Sequence, residues 1–426
     1  MVLGRIKGER GAIGLLDIGT SKVACLVVAP DRAESADGRH RPDAVAGMSM
    51  LGFGLQRSRG VKAGVVVDLD EAERAVRAAV SQAERMAGTR LGEVHVAVAC
   101  GRLRSLVFTT TAAIEAGLVN AGDLTRLLHA GRAYATRDGR AVVHLNRLAY
   151  RLDGAGGIAD PRGMACATLE ADFHAVTADD APLRNLMLLI ERCYLSTAEV
   201  TPAPIASALA VLTEEERRNG VTCIDMGAGT TSLAAFAEGN LLATDVVPVG
   251  GQHISFDIAR TLSTPLEEAE RIKTLYGTLV VAGSDEQEAI SYSLAGSEEP
   301  IQYQVTRAQL RHLVQTRIEA MLALVGERLD RSGVRQWVGD RIVLTGGVSQ
   351  TLGLADFVEQ HLGGRARIAR PKTVGGLSAS IQTPAFATVV GLACALEDDA
   401  MREQGVRHGD GARYFGRMGQ WLRESF

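Results

Sequence analysis

Apolar and polar positions along the chain fall into blocks whose period changes. The run from Gly14 to Ala29 is apolar except at Asp17-Ile18-Gly19-Thr20-Ser21-Lys22, which predicts a strand, a tight turn and a second strand with polar chemistry at the tip. A helix is expected from Asp70, which would cap its own first turn with Glu73 three residues on, and Ala72, Val76, Ala79, Val80 and Ala83 share one of its faces. Alternation at Val94, Val96 and Val98, an apolar run from Leu106 to Ile114, a helix over about Asn120 to Tyr134 and a strand from Val142 to Tyr150 make a further block. Gly-rich and Asp-Pro loops at Asp153 to Gly157 and Asp160 to Gly163 close it, so a small inserted α+β unit is expected at Leu91 to Leu169, after which the strand Phe173 to Thr177 returns to the first domain.

Helical spacing resumes at Leu183, Leu186, Met187 and Ile190 and again from Ile205 to Leu212, ahead of a fresh strand at Val221 to Ile224. A long amphipathic helix follows Thr306, with Leu310, Leu313, Val314, Met321, Leu324 and Val325 on its apolar positions. The strand Arg341 to Leu344 runs into Gly346-Gly347, and folded structure is expected to end near Ala395. From Glu397 to Gly411 the chain is charged and lacks apolar period, as a flexible linker does.

Two hairpins repeat one another. Leu15-Leu16-Asp17-Ile18-Gly19-Thr20-Ser21-Lys22 matches Cys223-Ile224-Asp225-Met226-Gly227-Ala228-Gly229-Thr230-Thr231, with Asp17 on Asp225 and Gly19 on Gly227. A glycine at such a turn lets backbone N–H groups approach an anion, and Thr20, Ser21, Thr230 and Thr231 add neutral donors. Lys22 can neutralise phosphate, while Asp17 and Asp225 are suited to hold waters of a Mg²⁺ ion, which keeps much of its hydration shell. One such hairpin is equally well a plain glycine turn; the matched pair points to a nucleotide-phosphate clamp between duplicated halves.

Three further features fit that reading. The strand ending at Thr345 meets Gly346-Gly347 and Ser349, bare backbone against which a flat base or sugar can stack. Gly250-Gly251 opens a helix carrying Ile254, Ile258 and Leu262. On the next helix, Leu266 to Tyr276, Glu270 and Lys273 share a face, where they either hydrogen-bond ribose hydroxyls or form a surface ion pair.

Composition narrows the function classes. The 426 residues are 46% hydrophobic and 23% charged, which indicates a globular chain of two or more units. With 46 basic against 50 acidic residues and a net charge of -4 there is no footprint for nucleic acid. The six cysteines stand singly in apolar segments and read as buried thiols of a reducing cytoplasm. The basic stretch Met1 to Arg10 leads into a Gly-rich strand, so neither an export signal nor a spanning helix is expected.

The two hairpins, the glycine-pair turn and the Gly-Gly helix resemble the superfamily of actin, the heat-shock chaperone ATPases and the sugar kinases. Within it, Gly14 to Val28, the inserted block, Gly157 to Met164 and the order Gly250-Gly251 then Ala269-Glu270-Arg271-Ile272-Lys273 resemble the FtsA family of bacterial cell-division proteins. The resemblance runs from Gly11 to about Ala395 and reappears at the extreme C-terminus. It implies an α/β, actin-like (ribonuclease H-like) duplicated fold whose two lobes close on ATP and Mg²⁺. Residues 1–90 and 170–212 would form the first lobe, 91–169 the inserted unit, and 213–396 the second lobe with its upper part at about 276–333. Residues 397–412 would be a linker and 413–426 a terminal helix. The resemblance further implies self-association, contacts of the inserted unit with other division proteins, and binding of the FtsZ C-terminal tail by the upper second lobe. Arg307 and Arg317 are cationic candidates for that tail, or simply solvated arginines. The loop Ala33 to Pro42 and the Arg- and Ala-rich insertion depart from the family pattern, which bears on the self-association contacts.

The last segment carries chemistry of its own. As a helix it sets Phe415, Met418, Leu422 and Phe426 on one stripe widened by Tyr414 and Trp421, with Arg413, Arg417 and Arg423 towards the other side. That pattern suits an interfacial anchor on anionic lipid at the cytoplasmic side of the inner membrane, too short to span it; docking on the protein's own body is the alternative. Gly416 and Gly419 weaken the helix in water by about 1 kcal/mol each, which couples its folding to the membrane. A scaffold is therefore favoured over a sugar- or acetate-type kinase, which needs a carboxylate beside the acceptor hydroxyl. A pilus-assembly actin-like ATPase shares the nucleotide motifs, and the amphipathic terminus speaks against it.

Overall fold

The computed structural model describes residues 11–30, 44–115, 117–136, 139–281, 283, 287–295 and 303–397. The Met1 to Arg10 stretch, the Ala33 to Pro42 loop, the linker beyond Glu397 and the Arg413 to Phe426 segment lie outside the described residues.

The repeat in the sequence is a repeat of strand topology. Ile13–Ile18, Lys22–Pro30 and Ala44–Arg57 form an antiparallel series; Glu93–Val98 then lies parallel to Ile13–Ile18, and Ser196–Pro202 parallel to Glu93–Val98. The second copy has the antiparallel series Val221–Met226, Thr231–Ala237 and Asn240–Val247, then Arg341–Thr345 and Arg365–Ile368 in parallel. Parallel neighbours need long crossovers, and helices supply them. Asp17 and Asp225 are the penultimate residues of the first strand of each copy, so the duplication carries each to the equivalent end of its own sheet.

Helix Leu69–Ala87 buries Ala72, Val76, Ala79, Val80 and Ala83, as its spacing predicts. It lies so close to the third strand that a Cβ on Gly54 would fall 1.8 Å from the Ala79 carbonyl oxygen. Its cap differs from expectation: the Asp68 carboxylate accepts from the N–H groups of Asp70 and Glu71, and Asp70 is already inside the first turn.

Helices Ala203–Val211 and Ala387–Glu397 cross beneath the cleft. A Cβ on Gly391 would sit 1.8 Å from the Ala206 carbonyl oxygen, so the crossing is a backbone-to-backbone contact. Small side chains make this possible: Ala206, Ala208 and Ala393 are wholly buried.

The inserted unit is bounded differently from the sequence expectation of residues 91–169. Glu93–Val98 pairs inside the first lobe's sheet, and the insertion starts after it. Thr168–Asp179 pairs with Arg104–Ala113 on one side and Arg140–Leu152 on the other, so Phe173 to Thr177 lies within the insertion's sheet. Alternation marks a half-buried strand without saying which sheet receives it, hence both discrepancies. Helix Ala121–Ala135 covers one face, burying Leu127 against Phe108 and Phe173.

The insertion also reaches the second lobe. Arg104 pairs antiparallel with Asp245, which joins the insertion's strands and the second lobe's into one nine-stranded sheet, and the Ser105 hydroxyl accepts from the Thr244 N–H at 2.6 Å and lies 3.0 Å from its carbonyl oxygen. In the second lobe, Thr306 caps helix Arg307–Ser332 with Gln309 completing a capping box, and the short hairpin Ala289–Tyr292 with Tyr303–Thr306 stands over it. No helix among the described residues is long and apolar enough to cross a membrane.

Candidate nucleotide-binding cleft

The two repeated turns share one backbone device. Gly19 N–H donates to the Lys22 carbonyl at 3.0 Å, and Gly227 N–H to the Thr230 carbonyl at 2.9 Å. The turns face each other across a cleft of about 450 Å³ lined by Asp17, Gly19, Thr20, Ser21, Lys22, Asp225, Gly227, Gly229 and Thr230. Thr20 accepts from the Gly64 N–H at 3.3 Å.

Asp225 is the most elaborately held of these groups. Ser207 donates a short hydrogen bond to Oδ2, Thr388 Oγ1 lies 3.3 Å from the same oxygen, and the two hydroxyls are 2.9 Å apart. Ser207 and Thr388 come from the two crossing helices, so the carboxylate is fixed to the joint between the lobes. Lys22 Nζ lies 4.8 Å from the centre of the Phe386 ring.

Burial raises the Asp17 pKa to about 6, against the pull of Lys22 and with a further push from the Asp225 charge. Burial likewise raises Asp225, opposed by Ser207, Thr388 and Lys22. It lowers Lys22, whose charge both aspartates favour. Two buried carboxylates thus confront one ammonium, and the mutual repulsion is what a divalent cation would offset. The residues present fit a hydrated Mg²⁺.

The third turn closes on the same group. Gly346 has φ +85°, and a Cβ there would fall 2.3 Å from Asp225 Oδ1, so both conformation and proximity demand glycine. Gly346 and Gly347 line the cleft. Ser349 does not: it is wholly buried, and its hydroxyl donates to the Gly346 carbonyl at 2.8 Å, holding the turn. Thr231 is also turned away, buried with its hydroxyl on the Val249 carbonyl at 2.8 Å.

Helix Gly251–Leu262 plugs into the second hairpin, with Gly251 N–H on the Gly227 carbonyl at 2.9 Å and Gln252 N–H on the Ala228 carbonyl at 2.8 Å. Gly251 lines the cleft, and Gly250 packs behind it against the Gly227 carbonyl. Glu270 and Lys273 line the cleft and also pair with each other at 2.7 Å. Lys273 spends its other donors on the Gly251 carbonyl and the Ser255 hydroxyl, at 3.1 and 2.9 Å. Its role is to fix Glu270, whose carboxylate stays half exposed.

Arg307 and Arg317 lie outside the cleft and are not free cations. Arg307 pairs with Glu288 at 2.5 Å, and Arg317 grips Asp257 through two bonds of 2.6 and 2.8 Å. Ser207, Thr388, Gly64 and Phe386 escaped the sequence reading. For Ser207 a signal existed: it is the one hydroxyl in an otherwise apolar helix.

Two like-wound lobes closing on paired Asp-x-Gly turns define an actin-like ATPase fold. Solved structures agree: the PilM-PilN type IV pilus biogenesis complex matches with TM-score 0.60 and 18% identity over 89% of this chain and 97% of that one. MreB5 of Spiroplasma citri bound to ADP matches with TM-score 0.53 and 14% identity over 91% and 96%. The family model "Cell division protein FtsA" matches residues 222–391, and "SHS2 domain inserted in FTSA" matches residues 100–177, in keeping with the insertion boundaries seen in the sheets. Cell division protein FtsA of Rhizobium meliloti (strain 1021) is 42% identical over 97% of this chain and 95% of its own, and that of Escherichia coli (strain K12) 30% identical over 98% and 99%. The chain belongs to the FtsA family of cell division proteins.

Proposed function

We propose that this protein binds ATP with Mg²⁺ in the interlobe cleft, self-associates, and ties the FtsZ filament to the cytoplasmic face of the bacterial inner membrane at midcell. The observation that carries the nucleotide part is the convergence of Asp17, Lys22 and Asp225 between two matched glycine turns. Thr20, Ser21, Lys22, Gly229 and Thr230 are the residues that would meet phosphate. Asp17 and Asp225 would hold waters of the metal, and Gly346, Gly347, Gly251 and Glu270 would meet the adenosine. Bound Mg²⁺ supplies positive charge to the phosphates and to the two carboxylates alike.

The membrane part rests on the aromatic and arginine pattern of Arg413 to Phe426, and the FtsZ part on family membership. Because Arg307 and Arg317 are engaged in ion pairs, an acidic FtsZ tail would have to displace Glu288 or Asp257 to use them. Whole-length relatives that are cell division proteins favour this reading over pilus assembly.

Calorimetric titration of the purified chain with Mg-ATP tests the cleft. Binding is expected for the native chain and none for Asp225→Ala; retained affinity in that variant overturns the site. Sedimentation with vesicles containing phosphatidylglycerol, with and without residues 413–426, tests the anchor.

A further inference from the structure

We propose that Phe386 is a positioning residue for phosphate binding: its ring holds the Lys22 ammonium in the cleft, from a short segment of chain that ties the three glycine turns together. The inference rests on the nucleotide-binding reading of the cleft and adds a residue that would act on phosphate only through Lys22.

The shape of the segment follows from its sequence. Thr383 is extended, as the residue before a proline is, and Pro384 opens the single turn Pro384–Phe386, which runs straight into helix Ala387–Glu397. Between Pro384 and Thr388 the chain meets all three turns. The Pro384 carbonyl accepts from the Gly346 N–H of the third turn at 3.1 Å. The Phe386 ring faces Lys22 of the first. The Thr388 hydroxyl lies 3.3 Å from Asp225, on the strand that leads into the second. Pro384, Ala385 and Thr388 line the cleft and Phe386 does not, so its ring can influence a ligand only through the lysine.

Lys22 needs such a partner. Asp17 and Asp225 favour its charge, but burial pulls the ammonium towards its neutral form, and among the described residues no carboxylate forms an ion pair with it. The face of an aromatic ring attracts a cation, most strongly where water is excluded, and Nζ at 4.8 Å from the ring centre is within range of that attraction. The ring therefore favours the charged form and restricts where the flexible four-carbon stem can carry it. A lysine set in place beforehand loses less freedom when it meets phosphate. The ring is itself braced: Phe53, from the strand Ala44–Arg57, packs edge to face on it, with the ring centres 5.8 Å apart and the planes at 82°.

Lys7, Lys22, Lys62, Lys273 and Lys372 are the lysines of the sequence, so the full-length chain, isotope-labelled at lysine Cε, gives a sparse magnetic-resonance spectrum. The ring current of Phe386 should displace the Lys22 ε-proton signal upfield, and Lys22→Arg, by removing that signal, assigns it. Phe386→Leu should return the signal to the ordinary lysine position and weaken Mg-ATP binding roughly tenfold, whereas Phe386→Tyr, which keeps the aromatic face, should preserve both. In a Lys22→Met background, Phe386→Leu should cost little further affinity. A signal that stays in place in Phe386→Leu, or an Mg-ATP affinity that survives the change, overturns the proposal. So does an equal loss in the Lys22→Met background, which would make the ring a packing element alone. A native chain that fails to bind Mg-ATP sinks the cleft reading and this role together; native binding that Phe386→Leu leaves intact sinks this role alone.

Discussion

Thr20 and Gly229 stand so close across the cleft that a Cβ on Gly229 would fall 2.2 Å from the Thr20 hydroxyl oxygen. The two hairpins thus touch where the lobes meet, and glycine at this position sets how near they come. Gly229→Ala should force the turns apart and weaken Mg-ATP binding by tenfold or more, about 1.4 kcal/mol. Thr20→Gly in the same chain removes the obstructing side chain and should restore part of the loss, a positive coupling readable in a double-mutant cycle. Unchanged affinity in Gly229→Ala would mean that the turns do not clamp a common ligand.

Asp225 draws its order from hydroxyls on helices that belong to neither hairpin. Ser207→Ala removes a hydrogen bond to a buried carboxylate and should cost about 1.5–3 kcal/mol of stability. Thr388→Val, whose hydroxyl lies farther off at 3.3 Å, should cost less. Melting of both variants without nucleotide checks the order of effects; Mg-ATP, by neutralising the same carboxylate, should narrow the deficit.

The hairpins were legible because glycine and aspartate at a strand end have few other uses, and because they recur. Ser207 and Thr388 were not, since their partner is fixed only when two helices distant in sequence cross at Ala206 and Gly391. Thr231 departs from the sequence expectation for a simpler reason. It opens a strand buried along its whole length, and the side-chain alternation that aims Ser232 at the cleft aims Thr231 away from it. Asp68 and Asp70 were equally good caps by residue type, and only the backbone angle at Asp68 decides between them.

The insertion has its own titration behaviour. His174 is wholly buried, with Nε2 3.0 Å from the Ser105 hydroxyl, and burial together with the neighbouring His144 lowers its pKa to about 3. An unfolded histidine takes up its proton near pH 6.5. Its depressed folded pKa therefore contributes stability that is full above about pH 6.5 and is lost progressively as pH falls towards 3. At pH 5.5 the loss from His174 alone is about 1.4 kcal/mol. Thermal melts at pH 7.5 and 5.5 should show this decline, and His174→Gln should flatten that part of it. An identical pH slope in the variant would assign the decline to other groups.

The crossing of helices Ala203–Val211 and Ala387–Glu397 sets how the two lobes are joined, and its closest point is Gly391 against the Ala206 carbonyl oxygen. A methyl group on Gly391 meets backbone, which cannot rotate aside, so the helices must separate. Gly391→Ala should destabilise the fold by about 1–3 kcal/mol, the usual cost of overpacking. Because the obstacle is the carbonyl and not a side chain, Ala206→Gly should fail to rescue it. Urea denaturation of the single and double variants decides the matter: recovery in the double variant would show that the helices are held apart by side chains. The separation should also reach the cleft, since Thr388 sits one turn from Gly391 and contacts Asp225. Mg-ATP affinity is thus expected to fall in Gly391→Ala even where the protein remains folded.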